Sequence, residues 1–249
     1  MTQDFTLITG SASGIGQQIA IQLSTDRRII LCDRNGDGLE STISKCSNPS
    51  LHFIWNKDLG DVSSIRTALE TLLKENQIHV ESFVHCAGIM KVMRMKDVDY
   101  RNSLQIFNVN FFSATEIISS LLKKNINLAT LRNIVFISAI LGKFGANGHN
   151  LYSATKAALD GLMKSLSVEL APHVRVNSIL PGGVNTPMAE FALKDPVITE
   201  KIKNDYPLGI GDPSDIANLV EFLLSAKSRW ITGQQLIIDG GRTANMSQK

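Results

Sequence analysis

"ITGSASGIGQQIA", residues Ile8 to Ala20, joins a strand-like apolar run, "FTLITG" (5–10), to a helix-like pattern, "GIGQQIAIQLS". Gly10, Gly14 and Gly16 stand in Gly-x-x-x-Gly-x-Gly spacing. Glycines there let a backbone turn tightly and approach a pyrophosphate closely. The start of the following helix offers free N–H groups and a partial positive charge to phosphates. A glycine cluster alone is an ordinary turn. A strand before it and a helix after it make this one a dinucleotide loop.

The rest of the chain repeats that alternation. Further strand-like runs are "RRIILCD" (27–33), "HFIWNKD" (52–58), "SFVHCAG" (82–88), "NIVFISA" (133–139), "VRVNSILPG" (174–182) and "QQLIIDGG" (234–241). Several are apolar on both faces, as parallel strands covered by helices must be. Between them, "VSSIRTALETLLKE", "NFFSATEIISSLLKK", "YSATKAALDGLMKSLSVEL" and "PSDIANLVEFLLSA" space apolar residues as helices do. The expectation is α/β: a single-domain Rossmann fold over residues 1–249, a doubly wound parallel sheet of about seven strands flanked by helices. Two segments interrupt the rhythm, a glycine-containing loop at 143–150 and a substrate-loop region at about 183–212. Both follow strands, so both belong at the carboxyl edge of the sheet, where ligands bind.

Bulk composition excludes several function classes. The 249 residues carry 25 Lys+Arg against 23 Asp+Glu, a net +2 spread along the chain, so no nucleic-acid footprint is expected. No apolar run is long enough to span a bilayer. Three cysteines without CxxC spacing, and an opening that runs straight into a strand, predict a reduced, cytoplasmic protein. The five histidines form no metal-ligand spacing, and no metal site is expected.

Two groups carry the chemistry. Asp33 ends the second strand 17 positions after Gly16, where a carboxylate accepts hydrogen bonds from an adenosine ribose. It repels a 2′-phosphate, which favours NAD over NADP. Arg34 beside it pulls the other way, and Ser13 adds no positive charge. Tyr152 and Lys156 are one helical turn apart on one face. An ammonium beside a phenol stabilises the phenolate, and the expectation is a lowered tyrosine pKa suited to moving a proton on and off an alcohol oxygen.

Taken together, these motifs resemble the short-chain dehydrogenase/reductase family, in its single-domain branch, from end to end. "TGSASGIG" is similar to the family's cofactor loop, including Ile15. "DLGD" supplies Asp58 and Leu59 at the adenine position. "HCAG" stands where Asn-Asn-Ala-Gly is usual, with Ala87 and Gly88 retained and His85 read as a structural replacement. "NVN" supplies Asn110, implied to hold a proton-relay water. "PGGVNTPM" matches the segment at the nicotinamide end through Pro181, Gly182, Val184 and Thr186. The resemblance implies hydride transfer between the nicotinamide and a secondary alcohol or ketone. Tyr152 then moves the proton, Lys156 binds the ribose hydroxyls, and the subunit assembles as a homotetramer or dimer.

One part departs from the pattern. The family's serine falls 13 positions before the tyrosine, and position 139 is alanine; Gly142 and Gly145 fit that register. Ser138 is adjacent, but successive strand side chains point to opposite faces. Only a bulge would bring it round. The rest of the set is intact, the pattern left by replacing one serine with alanine. Loss of such a donor costs on the order of 10²–10³ in rate. The reading is therefore an impaired oxidoreductase. The alternatives are a nucleotide-binding protein with a regulatory role, or an epimerase or dehydratase working through a transient ketone. His149, in the loop before Tyr152, is a candidate substrate contact.

Overall fold

The central apolar runs are too hydrophobic on both sides to leave a face in water, so they need helices above and below. The computed structural model, which describes residues 4–190, 200 and 204–245, satisfies that requirement with one parallel sheet. Its strands are β1 (Asp4–Thr9), β2 (Arg28–Asp33), β3 (Phe53–Asn56), β4 (His79–His85), β5 (Asn133–Ile137), β6 (Arg175–Pro181) and β7 (Gln235–Ile238). Their order is β3-β2-β1-β4-β5-β6-β7. All seven overlap the stretches the sequence predicts.

The helices are α1 (Gly14–Leu23), α2 (Gly36–Ile43), α3 (Val62–Asn76), α4 (Tyr100–Phe107), α5 (Ser113–Leu121), α6 (Lys124–Asn127), α7 (Asn150–Glu169) and α8 (Pro213–Leu224). Strand side chains alternate between two cores. Phe5, Leu7, Phe83 and Phe136 pack under α3, α5 and α7. Ile8, Ile29, Val84 and Ile179 pack under α1, α2 and α8. Strand order reverses between β1 and β4, which opens a crevice at their carboxyl ends.

Helices α2 and α4, and α6 beyond its first residue, lie outside the helical patterns that the sequence predicts, and one π turn leaves no signal in the periodicity. Helix α2, "GDGLESTI", carries two glycines and forms because Asn35 caps it, its side chain accepting from the Gly38 N–H at 3.1 Å. Between α4 and α5 the chain stays helical but widens into a π turn, Asn108–Phe112. Such turns re-aim the residues within them, and Asn110 sits in this one. Of the predicted substrate loop, residues 191–199 and 201–203 lie outside the described residues. Its described flanks are tied together where Val184 bridges Gly211.

The crevice depends on how β4 is seated. Phe5 pairs with Val80 but Thr6 pairs with Ser82, so Glu81 is an extra residue in β4. The buried Asn127 side chain absorbs the irregularity. Its Oδ1 accepts from the Val80 N–H at 2.6 Å, and its Nδ2 donates to the Val80 carbonyl at 2.9 Å. Asn127→Ala leaves that buried N–H without an acceptor and is expected to lower the unfolding free energy by about 2 kcal/mol. Urea titration checks this; an unchanged midpoint would show that β4 does not need the bracket.

Candidate active site

The glycine loop is held by close approach. Gly10 has φ +72°, and a Cβ there would lie 2.8 Å from the Ala87 nitrogen. At Gly16 a Cβ would run into the Gly10 carbonyl. Only glycine lets the ends of β1 and β4 come this near while α1 starts above them. The result is a cavity of about 780 Å³ running along the sheet edge.

At one end of the cavity stand Asp33, Arg34, Asp58 and Leu59. Asp33 is half-buried and accepts from the Asn35 N–H at 3.0 Å and, more weakly, from the Ala12 N–H at 3.4 Å. The carboxylate keeps acceptor capacity toward the cavity. Ser13, Gly14, Ile15, Ala87 and Gly88 line the middle, and Pro181, Gly182, Val184 and Thr186 close the far side. A cradle of backbone, cleared of side chains at Gly10, Gly14 and Gly16 and facing a helix N-terminus, fits a dinucleotide.

At the other end Tyr152 and Lys156 project from the first turns of α7. Tyr152 is 9% exposed, and its ring centroid lies 5.5 Å from Lys156 Nζ. That ammonium donates to the Ile137 carbonyl at 2.8 Å. Burial pulls the Lys156 pKa down to about 8, an effect that the Asp160 carboxylate partly offsets. The structure corrects one expectation here. Burial raises the Tyr152 pKa above its ordinary value, with a further push from Cys86, so in the chain by itself desolvation outweighs the ammonium.

Residues 138 and 139 separate cleanly. Ala139 has extended backbone, φ −164° and ψ 154°, so consecutive side chains point opposite ways. The Ser138 hydroxyl, 3% exposed, is 3.1 Å from Asp160 Oδ2 and 3.2 Å from the Lys156 carbonyl. It is directed at the body of α7, and there is no bulge to turn it toward Tyr152. Both residues border the cavity, but the Ser138 hydroxyl is engaged on α7, and Ala139 brings only a methyl group.

Asn110 is set back from the cavity wall that the other predicted residues form. Its Nδ2 donates to the Ile89 carbonyl and to Thr155 Oγ1, each at 3.0 Å, and its Oδ1 accepts from the Ile89 N–H at 2.8 Å. Its backbone carbonyl receives His85 Nε2 at 3.1 Å. A carbonyl only accepts, so the His85 proton sits on Nε2, and Nδ1 accepts from the Thr9 hydroxyl at 3.0 Å. Thr9 Oγ1 in turn accepts from the Cys86 and Ala87 N–H groups at 3.2 Å. Burial first, then the Lys156 charge, press the His85 pKa down to about 3. Burial pushes the Cys86 thiol up to about 12, so it carries no thiolate at neutral pH.

Beyond the motif positions assigned to the cofactor, the cavity contains His149, named above as a candidate substrate contact, and residues for which no role was expected. Ile89, Met90, Val92 and Met188 make its far end apolar. Tyr206, within the predicted substrate-loop region, accepts the Gly183 N–H at 2.9 Å on its hydroxyl. His149 lines the cavity, its Nδ1–H given to the Asn147 carbonyl at 2.9 Å. These come from loops whose spacing carries no period, so only the folded chain brings them together. Among the described residues no three His, Cys, Asp or Glu side chains gather as metal ligands, and no helix is long and apolar enough to cross a membrane.

Comparison with known proteins agrees with this geometry over almost the whole chain. The family model described as enoyl-(acyl carrier protein) reductase matches residues 10–243. The chain is 30% identical to the (3R)-3-hydroxyacyl-CoA dehydrogenase of Mus musculus, over 94% of each chain. It is 33% identical to the 3-oxoacyl-(acyl-carrier-protein) reductase of Aquifex aeolicus, over 95% of this chain and 96% of the other. A solved 4-hydroxyisoleucine dehydrogenase complexed with NADH superposes with a TM-score of 0.89 at 27% identity, covering 97% of this chain and 99% of that one.

The neutral His85 has a consequence for acid stability. Its pKa falls from an ordinary 6.5 when unfolded to about 3 when folded, so the unfolded chain binds the extra proton first. The His85 contribution is therefore complete above about pH 6.5 and is lost as pH falls toward 3. His85→Gln retains an amide donor and acceptor but cannot titrate. Urea midpoints between pH 7 and 4 should fall less steeply in this variant; equal slopes would contradict the assignment.

Proposed function

The chain belongs to the short-chain dehydrogenase/reductase family, and on that premise we propose that it is an NAD-dependent oxidoreductase acting on a secondary alcohol or ketone, slowed by alanine at position 139. The observation that carries this is the pairing of Tyr152 with Lys156 at the end of a glycine-cleared cavity where Ala139 alone stands in for a hydroxyl. When bound, the nicotinamide supplies the hydride acceptor or donor. Gly10, Gly14, Gly16 and the N-terminus of α1 would hold the phosphates of the dinucleotide, and Asp33 would hold the adenosine ribose. Pro181, Gly182, Val184 and Thr186 would hold the nicotinamide end, and Lys156 the second ribose.

The proton balance falls to Tyr152. In reduction, the phenol gives its proton to the carbonyl oxygen as hydride arrives at carbon, leaving an alcohol and a phenolate. In oxidation the same steps run backwards. Burial keeps Tyr152 protonated at neutral pH, which suits the reducing direction, where a neutral acid is needed. Lys156 stabilises the phenolate left behind. Ala139 offers no donor to the oxygen as charge grows on it, and Ser138 is spent on α7.

The carboxylate of Asp33 supports NAD over NADP, because a 2′-phosphate would meet it at a partly buried wall. Assembly as a homo-oligomer is what the family resemblance supports. A reduced cytoplasmic setting fits the free cysteines, two of them buried.

Ala139→Ser is expected to raise hydride transfer by about 10²–10³, because it restores one donor at the developing oxyanion. NADH absorbance with a panel of secondary alcohols and ketones reads this, and Tyr152→Phe in the same background should abolish the gain. Equal, substantial rates in the parent and Ala139→Ser would overturn the impairment. Cofactor binding with no turnover by either chain would favour a nucleotide-binding role instead. Asp33→Ala should narrow the NADH-over-NADPH affinity ratio by about tenfold, since it removes the repulsion and leaves Arg34 to meet the phosphate. Isothermal titration measures that ratio, and an unchanged value would show that Asp33 does not select.

A further inference from the structure

Helix α7 presents Tyr152, Lys156 and Asp160 at four-residue steps, so the three share a face. The first two serve the cavity. Asp160 is likewise buried, only 4% exposed, with its carboxyl group set against the end of β5, the middle of β6 and the start of β7. Ser138 at the end of β5 is 3.1 Å from Asp160 Oδ2. Ser178 of β6 and Gln235 of β7, which pair across the sheet, also bear on the carboxyl group. Asp160 Oδ1 and Ser178 Oγ are both buried without a hydrogen-bond partner. A carboxylate is costly to bury unless something nearby needs its charge or its hydrogen bonds.

Two features of the site meet that condition. The first is Lys156, buried one turn earlier on the same helix, its ammonium held by a single carbonyl at 2.8 Å. The titratable groups around Lys156 are His85 and Cys86 from β4 and the segment after it, with Tyr152 and Asp160 from α7. His85 is neutral and Cys86 is a thiol at neutral pH, so neither balances an ammonium. Asp160 is the acid in that set. The second feature is the end of β5. The Ser138 hydroxyl, turned to α7, fixes which way the strand leaves the sheet, and so fixes that residue 139 faces the cavity.

We propose that Asp160 is the internal counter-charge of Lys156 and a positioning residue for the strand end, its carboxylate anchored by Ser138 behind the Tyr152–Lys156 pair. It touches neither substrate nor cofactor. It keeps the buried lysine in its ammonium form through the neutral range and, through Ser138, holds position 139 against the substrate pocket. The catalytic consequence rests on the reading of Lys156 given above; the charge relation does not.

The test is therefore a titration of the cofactor-free protein. Lysine side chains labelled with ¹³C and ¹⁵N report the Lys156 ammonium by NMR, assigned by its loss in Lys156→Arg. In the parent, the midpoint is expected near 8. Asp160→Asn, which keeps the volume and hydrogen-bonding capacity, should lower it by about half a unit or more, because one nearby negative charge is gone. Ser138→Ala keeps the charge and should move it by less than half as much. An unchanged midpoint in Asp160→Asn, or equal shifts in both variants, would overturn the proposal. Should Asp160→Asn fail to fold, the parent decides. Coupled groups report each other's titration, so the Asp160 carboxyl ¹³C resonance should show an ionised group at pH 7 with a step at the Lys156 midpoint. A protonated carboxyl at pH 7, or a featureless trace, would overturn it. In the Ala139→Ser background, the alkaline limb of kcat/KM should move to lower pH with KM little changed. A shifted titration without that movement would count against the role given to Lys156, not against the counter-charge.

Discussion

The hydrogen bond between Thr9 and His85 joins the two strands on which everything else in the site is hung. Thr9 ends β1, one residue before the glycine loop, and His85 ends β4, one residue before the Cys86–Gly88 segment. Through His85 the link runs on to the Asn110 carbonyl in the π turn, and through Thr9 Oγ1 it runs back to the Cys86 and Ala87 amides. The crevice between β1 and β4 is where the sheet's order reverses, and no main-chain ladder continues past the strand ends. Side chains must hold it there. A histidine can do so as a neutral ring, donating on one nitrogen and accepting on the other, and burial keeps it neutral.

The same logic of burial governs the acid–base pair. Tyr152 and Lys156 are both deep, and desolvation moves each away from its charged form, the tyrosine up and the lysine down. A phenol that stays protonated is a proton donor in waiting. A lysine with a pKa near neutrality needs support if it is to remain an ammonium. The chain places a carboxyl group behind it and leaves no hydroxyl in front of it. Under the proposed function, position 139 sets the rate without deciding the fold, because a methyl group at the cavity wall packs as well as a hydroxyl does.

Much of this was legible before any coordinates. The alternation of apolar runs gave all seven strands, because strands buried on both faces announce themselves by continuous hydrophobicity. Gly10, Gly14, Gly16, Asp33, Tyr152 and Lys156 carry fixed spacings within single elements, and the fold brings them to one cavity. The register of Ala139 against Tyr152 was likewise a matter of counting. Helix α2 was not legible, since two glycines argue against a helix that the Asn35 cap nevertheless starts. The π turn at Asn108–Phe112 leaves no period in the sequence. Nor could spacing show that Tyr206 would reach Gly183, or that Asp160 would meet Ser138, because both contacts join elements far apart in the chain. The direction of the Tyr152 shift was misread for a related reason: adjacency to a lysine is visible in a sequence, and the depth of burial is not.

The proposed function requires the Ser138 hydroxyl to belong to α7 and to take no part in the chemistry, which leaves the site one donor short. Single-turnover hydride transfer by Ser138→Ala compared with the parent, at saturating NADH and ketone, tests this. Rates within about tenfold of each other are expected, since no oxyanion donor is removed. A loss of about 10²–10³, the size expected for removing such a donor, would show that Ser138 already serves the substrate and that the assignment of position 139 is wrong.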